Sequence, residues 1–188
     1  MNARLRQRRR RASLGILGFA CWLTGCLSIA RAEGPADFSC QASPQDEKAV
    51  IGKVIRDSIC WALTKDWDLA ASTMTHDEDL FYFWTNSTFT VDGWKQHLKY
   101  YDTWMYPKFK AVRTEVRDLK VHLSRSGDVA WYSATLDDVV EFDGKRGGAE
   151  NIRWTGVLEK RGGKWVIAQM HASLAADTVR ESVKKEGR

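Results

Sequence analysis

"RWTGVLEKRGGKWVIAQMHAS", residues 153–173, holds two runs of alternating side chains that meet at Gly162-Gly163. Alternation on both sides of a glycine pair is the signature of a β-hairpin. The loop length then decides which side chains face each other. A three-residue loop at Arg161-Gly162-Gly163 sets Lys160 opposite Lys164, Arg153 opposite His171 and Thr155 opposite Gln169, whereas a two-residue loop sets Trp154 opposite His171. A slip of one residue exchanges the two faces of a strand, so the contents of any pocket under this hairpin hang on its register.

Working back from the hairpin, residues 108–123, 128–143, 149–161 and 164–174 read as four long strands. Ser126-Gly127-Asp128, Asp143-Gly144 with Gly147-Gly148, and Gly162-Gly163 supply turn chemistry between them. Further upstream the period changes. Ser43 is placed as an N-cap before Pro44, and Val50, Ile51, Val54, Ile55, Ile59, Ala62 and Leu63 follow at spacings of three and four. That is one apolar stripe on a long helix. A short helix is expected over 66–74, then the turn "THDEDL" and a short strand "FYFW". His76, Asp77 and Asp79 in that turn read as solvated residues, and Asn86-Ser87-Thr88 as a surface loop. A third helix is expected from Asp92 as N-cap, with Trp94, Leu98, Tyr101 and Met105 on one face. Helices first and strands later imply an α+β domain, its helices packed on a strongly curved, mainly antiparallel sheet.

The 188 residues suit one domain of ordinary size. The formal charge of +5 is misleading, because seven of the 29 basic residues and none of the 24 acids fall in the first 32 positions, leaving a body at −2. A nucleic-acid partner is not expected of such a body. The arginine-rich start, the apolar stretch "ASLGILGFACWLTGCLSIA" and "ARA" before Glu33 read as a signal peptide over 1–32, followed by a linker over 33–43 and an exported, periplasmic or secreted domain over 44–175. The alternative is a lipoprotein signal over 1–25, with Cys26 of "LTGC" lipidated and the chain anchored to a membrane. Residues 176–188 form a polar tail. In an oxidising compartment Cys40 and Cys60 are expected to form a disulfide. No His/Cys spacing suggests zinc, and no cofactor is expected.

"DEDLFYFW" followed by "DGW", together with the final hairpin, resembles the SnoaL-like branch of the nuclear transport factor 2-like (NTF2-like) superfamily. The residues that carry the likeness are Asp79, Gly93-Trp94, Arg153, Thr155, Gly163-Lys164-Trp165, His171 and Ser173, within a match over about 44–175. The resemblance implies a cone with an apolar interior and homodimerisation through the outer face of the sheet. It also implies any of several roles, from isomerase, dehydratase, hydrolase or cyclase to a non-catalytic binding or assembly module.

An exported domain that binds a small, mainly apolar molecule is therefore expected, with Trp84, Tyr101, Trp104, Trp131, Trp154 and Gln169 as its walls. An enzyme is the alternative, an isomerase, lyase or hydrolase using Asp137, Arg153 and His171. Asp137 and Asp138 are adjacent on one strand, so only one of them can face inward. In a third reading the domain is a dimeric assembly or accessory module whose cavity is packed shut; apart from these, a purely structural role pairs Arg153 with an acid such as Asp137 and ends a polar network at His171. Polarity in the cone separates these readings. Two or more inward ionisable groups favour an enzyme, and aromatics alone favour binding.

Overall fold

The computed structural model describes residues 44–86 and 88–177. The expected leader, linker, most of the tail, the Ser43 cap, and Cys26 and Cys40 lie outside the described residues. Cys60, the other half of the expected disulfide, is a half-buried thiol whose pKa is raised, first by burial and then by Asp57.

The stripe of alternating three and four spacings folds as helix α1, Pro44–Thr64. Ile51 and Ile55 at its centre are fully buried, while Val50 and Leu63 at its margins stay about half exposed at 49% and 50%. Helix α2, Trp67–Ser72, is capped by Asp66, whose Oδ1 accepts the Leu69 N–H at 3.0 Å. Two three-residue strands follow, β1 (Phe81–Phe83) and β2 (Thr90–Asp92), the second of which the sequence did not announce.

The expected third helix is broken. Asp92 ends β2 instead of capping a helix, and its N–H donates to Gln96 Oε1 at 2.8 Å. Gly93, at φ 82, makes the turn into α3, Trp94–His97, and a 3-10 turn at Leu98–Tyr100 leads into α4, Tyr101–Met105. This rotates the buried face away from the expected stripe. Leu98 and Tyr101 are exposed, while His97 is buried, Tyr100 packs against the core and Trp104 is half-buried.

Four long strands complete the chain: β3 (Phe109–Leu123), β4 (Val129–Phe142), β5 (Lys145–Arg161) and β6 (Lys164–Ser173). β5 begins four residues earlier than expected because Asp143 and Gly144, both at positive φ, close a two-residue turn that pairs Phe142 with Lys145. All six strands form one sheet in the order β2-β1-β6-β5-β4-β3, antiparallel except where β1 runs parallel to β6. Register shifts interrupt the ladders within each long pairing, between Ala111 and Arg113, Arg117 and Lys120, Leu136 and Asp138, and Val157 and Leu158. Bulges of this kind bend and twist a strand, so the sheet curls around the helices.

The inner face carries Ala130, Tyr132, Leu136, Ile152, Trp154 and Leu158, packed in one core with Ile51 and Ile55 of α1. Gly156 lies at a tight point of this face. A Cβ there would stand 2.5 Å from the Gln169 carbonyl oxygen and 2.6 Å from the Tyr132 ring. Gly156→Ala should therefore overpack the core, lowering stability by roughly 1–3 kcal/mol in a denaturant titration; an unchanged midpoint would contradict this packing.

Candidate functional site

The hairpin adopts neither register expected for it. Arg161 pairs with Lys164 across Gly162-Gly163, which is the two-residue loop. The bulge after Val157 then inserts Ala168, so that Thr155 faces His171, Trp154 faces Ala172 and Arg153 faces Ser173. Trp154 is thereby fully buried on the inner face, while Arg153 and His171 are exposed on the outer face. Among the described aromatic rings, His171 meets the edge of Phe83 at 5.9 Å. Gln169 lies on the outer face opposite Val157, and Trp131 is exposed there, stacked on His122 at 5.7 Å. Tyr101 is exposed with its ring against Trp67 at 4.9 Å. None of these five lines the cone, and Trp84, Trp104 and Trp154 do.

Two adjacent aspartates take opposite sides. Asp137 lies across from Glu115 on the outer face, where two residues of β5, Glu150 and Asn151, stand opposite it alone. Asn151 adopts φ 56, and its N–H donates to Asp137 Oδ1 at 2.8 Å. Arg117 reaches the same oxygen at 2.8 Å, and Arg113 reaches Oδ2 at 2.7 Å. The Asn151 N–H, then Arg117 and Arg113, hold this carboxyl below its ordinary value against the opposing cost of burial. Asp137 is covered by its arginines and is not in the cone, so the expected Asp137/Arg153/His171 constellation does not form.

Asp138 faces inward, in phase with Leu136 and Val140. Its register partners are Thr114 and Ala149, and its carboxyl has no hydrogen-bond or ionic partner among the described residues. Burial alone pushes its pKa up from 3.8 to about 6. Gly148 allows β5 to approach at this point, since a Cβ on it would stand 2.0 Å from the Asp138 carbonyl oxygen.

The carboxyl opens into a cavity of about 440 Å³. Trp61, Trp84, Trp104, Trp154, Tyr82, Phe89 and Phe109 supply aromatic walls, Met74, Val140 and Met170 aliphatic ones, and Ser58, Thr85 and Asn86 polar edges. His97 completes the lining. Its Nδ1 lies 2.9 Å from the Tyr82 hydroxyl, its ring stacks on Trp94 at 4.8 Å, and its Nε2 is buried without a partner among the described residues. Burial, then the neighbouring His76, lowers its pKa from 6.5 to about 4, so the ring is neutral at physiological pH. If Tyr82 donates to Nδ1, then Nε2 carries the ring proton. Burial also raises the Tyr82 phenol, which stays protonated.

A wider hollow of about 700 Å³ lies among Val50, Val54, Met74 and Trp165. Its acid, Glu47, is already engaged by Lys160 at 2.5 Å and by the Trp165 indole at 2.6 Å. The turn before β1 is likewise occupied with structure, because Arg161 pairs with Asp77, Asp79 and Glu159. Among the described residues, the cone thus holds a half-buried carboxyl without a protein partner.

The SnoaL-like domain family matches residues 51–177. No curated protein matches the chain in sequence. Among solved structures, an NTF2-like protein from Cytophaga hutchinsonii superposes with a TM-score of 0.55 at 15% identity, covering 71% of this chain and 100% of its own. A candidate dehydratase of the NTF2-like family from Streptomyces avermitilis gives 0.57 at 16% identity, over 71% and 99%. A candidate calcium/calmodulin-dependent kinase II association domain from Xanthomonas campestris gives 0.54 at 21%, over 72% and 91%. At these identities the likeness is one of fold.

The two titrating groups of the cone, buried His97 and half-buried Asp138, leave opposite marks on stability. Asp138 binds its proton more tightly folded than unfolded, so its contribution is lost as pH rises from 3.8 through about 6. His97 binds its proton less tightly folded, so its contribution is lost as pH falls from 6.5 through about 4. In urea titrations across this range, Asp138→Asn should rise more steeply with pH than the wild type, and His97→Gln should fall relative to it. Each should diverge by up to about 1.4 kcal/mol per pH unit. Parallel profiles for all three proteins would contradict the inward placement of both groups.

Proposed function

The chain belongs to the SnoaL-like domain family, and we propose that its cone takes up a small, mainly apolar molecule whose polar end meets Asp138. The observation that carries this reading is the unpaired Asp138 carboxyl at the wall of an aromatic cavity of ligand size. A carboxyl partly withdrawn from water without a protein partner costs stability, and retaining one is explained when a ligand supplies the partner. Export and pairing of two copies through the outer face belong to the same proposal. They are supported by the charged and apolar leader over 1–32 and by exposed Phe83 and Trp131, and the intact mass and sedimentation of the mature chain test them.

A second reading, proton-transfer catalysis, is favoured by the company Asp138 keeps. A carboxyl poised near neutrality lines the same cavity as a neutral imidazole, so the cone holds more than one inward ionisable group. Asp138 would take a proton from a carbon beside a carbonyl, and His97 would donate a hydrogen bond to the oxygen as charge develops on it.

Native mass spectrometry of the purified protein should show a bound small molecule, and Ala62→Trp, which fills the cavity, should release it while the fold persists. Asp138→Asn should weaken retention about tenfold, and, if the molecule is turned over, should slow turnover about 100-fold or more. A molecule retained equally by all three proteins would place the binding site elsewhere.

A further inference from the structure

The charge of the cavity is more specific than its shape. Among the described residues of the lining, Asp138 alone carries a formal charge at neutral pH, and no lysine or arginine lines the space. The walls nearest in character to a charge partner are the indoles Trp61, Trp84, Trp104 and Trp154, whose faces carry the negative end of the ring quadrupole. They do not form one flat stack. Trp104 meets Trp61 at 72° and Phe89 at 69°, so the rings make corners. Indole faces and a carboxylate lining one cavity are how proteins hold organic cations, because cation–π attraction is strongest over tryptophan and grows when water is excluded.

We propose that the molecule bound in the cone is an organic ammonium, its positive nitrogen set against Asp138 and the tryptophan walls and its apolar body filling the remainder. This rests on the binding reading above and assigns Asp138 the part of counter-ion. A neutral occupant would offer the carboxylate at most a hydrogen bond and no compensating charge, and an anion would be repelled by it. A cation resolves both problems. The neutral state of His97 at physiological pH leaves no positive charge on the lining to oppose it. The ion-pair role and the base role place different demands on the occupant, and only the first requires its positive charge.

Benzyltrimethylammonium and its neutral isostere 2,2-dimethylpropylbenzene differ only in nitrogen against carbon at the branched centre. Their binding to the full-length chain can be followed by tryptophan fluorescence, since four indoles line the cavity. The cation should bind at least about tenfold more tightly than the isostere near pH 7.5. That preference should shrink near pH 4.5, where the carboxyl is protonated, and in Asp138→Asn, to the smaller part that the ring faces supply, while the isostere binds equally under all three conditions. Equal affinity of the two probes for the wild type near pH 7.5, or a preference undiminished in Asp138→Asn, would overturn the ammonium proposal and leave the apolar binding reading standing. Failure of both probes to bind would overturn the two together. Because Asp138→Asn removes an unpaired, half-buried charge, its fold is expected to hold, and circular dichroism verifies this.

Discussion

The Asn151 N–H and the guanidinium groups of Arg113 and Arg117 hold the Asp137 carboxylate on the outer face of the sheet, and the character of the cone follows from that anchoring. Side chains alternate along β4, so fixing Asp137 outside places Asp138 inside. The two residues share a type and a strand, yet their environments push their pKa values apart, one held low by donors and the other raised by burial. Breaking the outer clamp at one arginine would leave a covered charge partly uncompensated. The bulge supplies the clamp, because the extra residue on β5 frees the Asn151 N–H from the ladder to reach Asp137.

The rest of the cone is built around that inward carboxyl. Gly148 lets β5 close on the Asp138 backbone, where any Cβ would collide. The broken helical segment from Trp94 to Met105 turns His97 and Trp104 toward the cavity, and the Tyr82 hydroxyl fixes the imidazole. A single long helix on the expected stripe would have sent Leu98 and Tyr101 inward, giving an apolar wall without the imidazole. The 3-10 turn therefore determines chemistry as well as shape.

The order of elements was legible in the sequence because periodicity changes from three and four in α1 to two in the long strands, and glycine pairs mark the turns. The site was less legible for a definite physical reason. One-residue shifts decide faces, and bulges supply such shifts without an obvious signature in the sequence. Ala168 in the final hairpin turned Gln169 and His171 outward, a shift that neither the two-residue nor the three-residue loop announces. The choice between Asp137 and Asp138 did have a signal. Tyr132, Leu136 and Val140 alternate in phase with Asp138, but Trp131 and Val139 in the opposite phase made both faces of β4 look apolar. His97 stood in the expected helix beside the aromatic stripe, and only the break in that helix turned it inward.

The titration of the Asp138 carboxyl, followed by carbon-13 NMR of selectively labelled aspartate and assigned with Asp138→Asn, tests the central claim most directly. A midpoint near 6, standing apart from an Asp137 signal that titrates below 3.8, is the result expected of one carboxyl in the cone and the other in the arginine clamp. A midpoint for Asp138 at or below 3.8, with Asp137 the elevated one, would show the strand facing the other way and would contradict the account.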